Sequence, residues 1–466
     1  MTVLSKPGSY PKPNVTTPVP GPRSSEYLQR QRDDESGAVS YPRRLPIAVR
    51  RASGSYIEDW DGNVYLDFLT GAGVLPLGHG HPEIIAAAAE QMKVFCHGLD
   101  LPSDVKDRFR EAQLAMLPGG LGRDMRVHFC GSTGADAVEA AIKLAKIHTK
   151  GDEIISFQGG YHGSTHAALA VTADRTVKSQ LGNLMPGVHF FPYSSCSDCP
   201  IGLSRPSCRT NCILFLEKAL RDSHSGLRRP AGVILELVQG EGGVNPADPE
   251  FVRRLRAITA EFGIPLIVDE IQTGCGRTGT WFAFERYGIE PDMILASKGL
   301  SGMGSPVSLL FYRRHLDAWG PGTHIGTFRG NHVAFAAGIK LLEIMERDHI
   351  LDNARATGTR LRDGLEVIKA RTPLVSDVRG IGLMLGIELR DPETGRYATQ
   401  AARAVQRAAL ERGLILEVGG RDDAVVRLLP PLNLTMDEVD SALAILTEAV
   451  SAAVSAAGEA PVAPAA

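Results

Sequence analysis

Two short apolar runs that each end on a charged residue constrain this chain more than anything else in it: PLIVDEI, which carries Asp269 and Glu270, and DMILASKG, which carries Lys298. With AGVILELV they are apolar throughout, and a strand of that kind is buried on both faces, as in a parallel sheet covered by helices. Stretches of helical period, such as ADAVEAAIKLAKI and PEFVRRLRAITAEF, lie between such runs, so the pattern is α/β. In such sheets ligands sit beyond the carboxyl ends of the strands. Polar residues that close the runs are therefore the first candidates for chemistry. After about residue 345 the texture changes to DVRGIGLMLGIEL, GLILEV and VVRLLPPLNLT between helices, which predicts a smaller α+β domain.

A chain of 466 residues is long enough for two domains. The expected division is a large domain over 76–340, a small one from 26–75 and 341–451, a mobile Pro-rich lead over 1–25, and a mobile Ala/Pro tail over 452–466. Fifty basic and 53 acidic side chains give a net charge of -3, which offers neither nucleic acid nor an anionic membrane an attractive field. No apolar run reaches the roughly 18 residues of a membrane span, and the start of the chain lacks the apolar core of a secretion signal. These features predict a cytoplasmic protein that works on small molecules. Cys196, Cys199, Cys208 and Cys212 form two close pairs in CSDCPIGLSRPSCRTNC, as zinc ligands do, but the gap between the pairs is shorter than in common zinc modules. The expectation is a surface loop and no metal.

A carboxylate at the exit of a buried strand, such as Asp269, needs a partner. A desolvated lysine at the same edge, such as Lys298, has its pKa lowered and becomes a nucleophile for carbonyls. Taken alone, the two are equally well read as a structural ion pair. In GSTGADAVEAAIKLAK the small residues Thr133, Gly134 and Ala135 open a helix whose N-terminus suits a phosphate, although a capped helix would look the same. In FQGGYHGST, Gly-rich turns surround Tyr161 and His162 and can present a flat ring to a planar ligand. An anion, an amine, a phosphate cradle and an aromatic surface are together what pyridoxal phosphate requires.

These pieces, with DGNVYLDFLTGAGVLPLGHGHP, ELVQGEGG, VDEIQTGCGRTG, GTFRGN, VRGIGLMLGIEL and VVRLLPPL, occur in an order that resembles the class III, ornithine and ω-amino-acid type, pyridoxal-phosphate aminotransferases. The resemblance runs from about Tyr27 to Leu446. It implies a fold type I transferase, with a mainly parallel seven-stranded sheet in the large domain. It also implies that Lys298 carries the Schiff base and moves the proton, that Asp269 pairs with the pyridine nitrogen, and that Tyr161 and His162 lie at the ring with Gln272 near its phenolic oxygen. Thr133, Gly134 and Ala135 would hold the phosphate. Thr327 would reach the phosphate of a neighbouring subunit, implying at least a homodimer. Arg427 would bind a substrate carboxylate, with Glu241 as its masking partner and Glu236 nearby.

Within the class, ESGAVSYPRRLPIAV, LMPGVHFFPY and GTFRGN are similar to the subgroup that exchanges an amine between 2,4-diaminobutyrate and 2-oxoglutarate. Glu236-Leu237 replaces the common Glu-Pro, and KGLSGMGSPVSLL departs from the usual glycine-rich segment. Another ω-amine donor (lysine, ornithine or an amino sugar) therefore stays open, as do an aminomutase and a non-catalytic nucleotide binder. The last of these leaves Asp269 and Lys298 without a task.

Overall fold

Seven apolar runs become strands of one sheet in the unit Pro82–Leu351 of a computed structural model, which describes residues 10, 12–205 and 207–458. They are β1 (Met125–Phe129), β2 (Glu153–Phe157), β3 (Val188–Phe191), β4 (Pro230–Leu235), β5 (Leu266–Asp269), β6 (Met293–Ala296) and β7 (Leu309–Arg313). Their order across the sheet is β1-β7-β6-β5-β4-β2-β3. Only β7 runs against its neighbours β6 and β1; the pairs β2–β3, β2–β4, β4–β5 and β5–β6 are parallel. The carboxyl ends of β5 and β6 therefore open on the same edge.

Side chains alternate between the two faces of the sheet. Leu266 and Val268 join Val233, Leu235, Ile294 and Ala296 in one core with Phe251, Leu255 and Ile258. Ile267 joins Ile234, Met293 and Leu295 in the other, against Ala137, Ala141 and Leu144 of helix α1 (Gly134–Thr149). Because both faces are covered, β5 is apolar at every position until Asp269. Truncating Ile267 to Ala would cost about 2–5 kcal/mol in such a site.

The described residues of Met1–His81 and Asp352–Ala466 form the other unit. It holds an antiparallel sheet of β8 (Val375–Ile381), β9 (Met384–Leu389), β10 (Glu417–Gly419) and β11 (Val425–Leu428), in the order β8-β9-β11-β10. A second sheet contains Val49–Ser53, Tyr56–Asp59, Val64–Asp67 and the parallel strand Leu414–Ile415. The units divide after His81 and after Leu351, where the sequence reading divides them after 75 and after 340.

Two terminal expectations need correction. From Tyr10 the lead is attached to its unit. Asn14 bridges Val64, the Thr16 and Thr17 N–H groups donate to Asn63 Oδ1 at 2.9 and 3.0 Å, and Arg23 and Ser24 N–H donate to Asp61 at 2.7 and 2.8 Å. A Pro-rich segment has little backbone freedom to lose, so a few such bonds suffice to fix it. At the other end helix α2 (Met436–Gly458) continues through 452–458, with Ala449, Val450 and Ala453 buried. Alanine is the best helix former, and composition alone concealed this. Residues 1–9, 11 and 459–466 of the two expectations lie outside the described residues.

Candidate active site

At the carboxyl edge of the large sheet a cavity of about 470 Å³ is lined by Thr133, Gly134, Ala135, Tyr161, His162, Glu236, Glu241, Asp269, Gln272 and Lys298, with Gly163, Ser164, Thr165 and Ile271. That volume suits a cofactor-sized ligand. Ten of the twelve expected site residues thus meet in one place. Thr327 is exposed, in a turn where its carbonyl accepts from the His97 ring at 2.7 Å, and Arg427 belongs to β11 of the other unit.

Asp269 closes β5 and is 4% exposed. Its Oδ1 accepts the Ile271 N–H at 3.1 Å, and its Oδ2 lies 2.7 Å from His162 Nδ1. The His162 side chain is itself buried, and its Nε2 has no hydrogen-bond partner among the described residues. Gly160 makes room for the ring: a methyl there would come within 3.1 Å of Nε2. His162 and Asp269 are thus one unit, a carboxylate held by an imidazole. Glu270, the next residue, points elsewhere, as strand alternation demands. It accepts from Thr273 Oγ1 and from the Ala283 and Phe284 N–H groups at 3.0 and 2.9 Å, and so ties down a loop. Burial pushes both Glu236 and Glu270 up to about 7.

Glu236 follows β4 and organises two loops. Its Oε2 accepts the Tyr161 N–H at 2.8 Å and its Oε1 the Gly240 N–H at 3.0 Å. The first bond sets where the Tyr161 ring stands. The loop carrying Glu241 then packs on the preceding turn, since a methyl at Gly242 would be 2.3 Å from the Gly159 carbonyl. Gln239 Nε2 donates to the Gln158 carbonyl at 2.9 Å across the same seam.

The phosphate-like corner is built by close packing. A methyl at Gly134 would be 2.7 Å from Ile271 Cδ1, and one at Gly163, where φ is +123°, 2.7 Å from Ala135 Cβ. The start of α1 can approach the turn after β5 only because these side chains are missing. Asp136 takes the Thr133 N–H at 3.0 Å, and the Asp136 N–H donates in turn to the Thr133 carbonyl at 3.0 Å; the N–H groups of Gly134 and Ala135 lie at the positive end of the helix dipole. Lys298, two residues beyond β6, has φ +43°, a left-handed backbone that a side chain rarely adopts. Ser297 Oγ donates to the Val307 carbonyl at 2.9 Å and anchors that turn.

The sequence reading missed the partnership of His162 with Asp269, and it missed Ser164, Thr165 and Ile271 as lining residues. The last three lie inside motifs already singled out, within three residues of the chosen ones. The four clustered cysteines line a separate cavity of about 20 Å³ with Tyr193, Arg205 and Asp248. Among the described residues no group of three or more His, Cys, Asp or Glu is disposed to hold a metal ion. Burial pushes the Cys212 thiol up to about 11, which keeps it protonated at neutral pH.

The sequence model of the family "Aminotransferase class-III" matches residues 38–450. Over 432 residues the chain is 47% identical to a diaminobutyrate--2-oxoglutarate aminotransferase of Rhizobium meliloti (strain 1021), covering 91% of this chain and 92% of that one. It is 42% identical over 438 residues to the enzyme of the same name from Haemophilus influenzae, covering 91% and 95%. Among solved structures, the ornithine aminotransferase of Toxoplasma gondii, described with partial occupancy of PLP at its active site, superposes with a TM-score of 0.81 at 26% identity over 94% of this chain and 96% of that one. A PLP-bound amine transaminase from an uncultivated Pseudomonas species gives 0.81 at 27% identity, covering 90% and 97%.

Proposed function

The chain belongs to the class-III aminotransferases, and on that premise we propose that it moves the terminal amine of L-2,4-diaminobutyrate to 2-oxoglutarate, giving aspartate 4-semialdehyde and glutamate. The observation that carries the chemistry is the cavity at the ends of β5 and β6, where a buried carboxylate, an amine, an aromatic ring and a helix N-terminus converge. The choice of diaminobutyrate is supported by the names of relatives 47% and 42% identical to this chain.

Pyridoxal phosphate is the cofactor, and the residues fit it: a cavity of about 470 Å³, a buried Asp269 already held by His162, and a corner kept open by Gly134 and Gly163. When bound, it supplies an electrophilic carbon and a conjugated ring that takes up the electron pair released as a substrate C–H bond breaks. In this reading Lys298 provides the amine that holds the aldehyde end, then takes a proton from one carbon and returns it to another. Asp269 keeps the pyridine nitrogen protonated, and His162, 2.7 Å from its Oδ2, fixes the carboxylate. Tyr161 covers one face, Gln272 lies at the phenolic oxygen, and Thr133, Gly134 and Ala135 take the phosphate. Arg427 binds the carboxylate next to the acceptor's reacting carbon. Glu241, with Glu236 beside it, masks that charge when an ω-amine occupies the site.

We assign a homodimer as well. Met92, Val94, Leu99, Leu101, Ile325 and Phe328 are exposed apolar side chains on two segments joined by the His97–Asn331 bridge, with Thr327 among them. A patch of that kind marks an interface, and in it Thr327 would reach the neighbouring subunit's phosphate. Free thiols at all seven cysteines suit the cytosol.

The test is stepwise. Diaminobutyrate added to the holoenzyme should convert the cofactor's absorbance, and 2-oxoglutarate should restore it with release of one glutamate. Conversion by lysine, ornithine or an amino sugar at a higher kcat/KM would replace the donor. Turnover without any 2-oxo acid would replace the reaction.

A further inference from the structure

Arg427 already has a carboxylate against it within its own sheet. In the register of β10 and β11, Glu417 stands directly opposite Arg427, and Glu417 Oε2 lies 2.6 Å from Arg427 Nη2. On the other side Arg427 faces Gly386 of β9, which has no side chain to offer. Arg379, the next residue along that row, is engaged by Glu388 at 2.7 Å. Two residues along β10 the backbone is stripped as well: a methyl at Gly419 would be 3.1 Å from Arg427 Nε and 3.4 Å from its Cζ, so the guanidinium lies across a glycine. Arg427 is 1% and Glu417 9% exposed. The strand pair thus lays the arginine flat along the sheet, with the Glu417 carboxylate against its Nη2.

We infer that Glu417 is a specificity-determining positioning residue, whose charge, fixed to Arg427 by the strand register, sets how strongly a dicarboxylate acceptor can bind. The inference rests on the reading of Arg427 as the acceptor's carboxylate site. A guanidinium and the carboxylate on its Nη2 form a nearly neutral pair, while the planar fork as a whole carries five N–H groups. An incoming carboxylate then meets both an attraction and a repulsion. A donor whose reacting carbon bears only an amine and hydrogens needs no cation there and is not penalised. Glu417 therefore biases the site toward amine donors and weakens, without abolishing, capture of the 2-oxo acid. Because the pair is built into adjacent strands, this bias does not wait on any loop.

The test uses glutarate, a non-reacting dicarboxylate, titrated calorimetrically into holoenzyme, with steady-state kinetics alongside. Glu417→Gln removes the charge and keeps the shape. It should tighten glutarate binding and lower KM for 2-oxoglutarate by about fivefold to tenfold, while kcat and the amine donor's KM change less than about twofold. Glu417→Asp keeps the charge but draws it back, and should fall between wild type and Glu417→Gln; it also serves if the glutamine variant does not fold. Arg427→Ala is the control for the underlying reading. If it leaves glutarate binding unchanged, that reading and this inference both fail. If Arg427→Ala weakens binding while Glu417→Gln and Glu417→Asp leave it unchanged or weaken it, Glu417 only braces the arginine and this inference alone is overturned.

Discussion

Asp269 and Arg427 are both ionisable and almost fully buried, and each has a close polar partner, but they are built in different ways. The partner of Asp269 comes from a turn 107 residues earlier in the chain, at the open edge of a parallel sheet. The partner of Arg427 stands on the next antiparallel strand, in the body of the sheet. At a strand end the chain turns away and leaves the rest of the carboxylate facing a cavity. Within a strand the charge is committed to its neighbour, so a ligand has to compete for it. The first arrangement suits a resident cofactor, and the second suits a substrate that must come and go.

The comparison is broken most severely at the strand ends. Lys298→Ala should lower turnover by about a thousandfold or more, since both the bonding amine and the proton carrier are lost. Borohydride should then no longer fix the cofactor to the chain; retention of that link would mean another lysine is used. Asp269→Asn should cost about a hundredfold in kcat/KM and loosen cofactor retention on dialysis. His162→Ala should cost about tenfold, because it removes the carboxylate's brace and not the carboxylate. If the two variants lose the same amount, the pair acts as one group.

The second arrangement is tested by Arg427→Ala. It should slow the 2-oxoglutarate half-reaction by about a hundredfold and leave the amine half-reaction within a few fold, each followed as a single-turnover absorbance change. Equal losses in both would mean that the arginine serves only the fold.

The smallest effect sharpens the contrast by asking what burial does to a carboxylate held by the Tyr161 and Gly240 backbone N–H groups. Burial raises Glu236 to about 7, so between its unfolded value near 4.3 and about 7 the folded protein holds the extra proton. Its contribution to stability is full below pH 4 and is lost as pH rises to 7. Glu236→Gln should therefore gain stability relative to wild type as pH is raised from about 5 to 7, by roughly 1–3 kcal/mol. Tm differences measured across that window in cofactor-free protein check the sign; a flat difference would mean that Glu236 ionises normally.

What could be read from the sequence follows the same division. Asp269, Lys298 and Thr133 were legible because each closes or opens an apolar segment, and position along one segment is a local property. The contact between His162 and Asp269 was not, since it depends on which strands are neighbours. Glu417 was passed over inside GLILEV, where it looks like an interruption in an apolar run. Only the register of β10 against β11 turns that interruption into a partner for Arg427. The lead was misjudged for a related reason: proline content reports stiffness, and whether a stiff segment is held depends on Asn63 and Asp61, far along the chain.

The left-handed backbone at Lys298, with φ +43°, sets durability against function. Glycine or asparagine would occupy that conformation with less strain than lysine does. Selection for heat resistance alone would thus favour replacing the amine proposed to hold the cofactor, and on that reading a library sorted on melting temperature would enrich for inert scaffolds. Any campaign to harden this enzyme has to keep turnover in the screen from its first round.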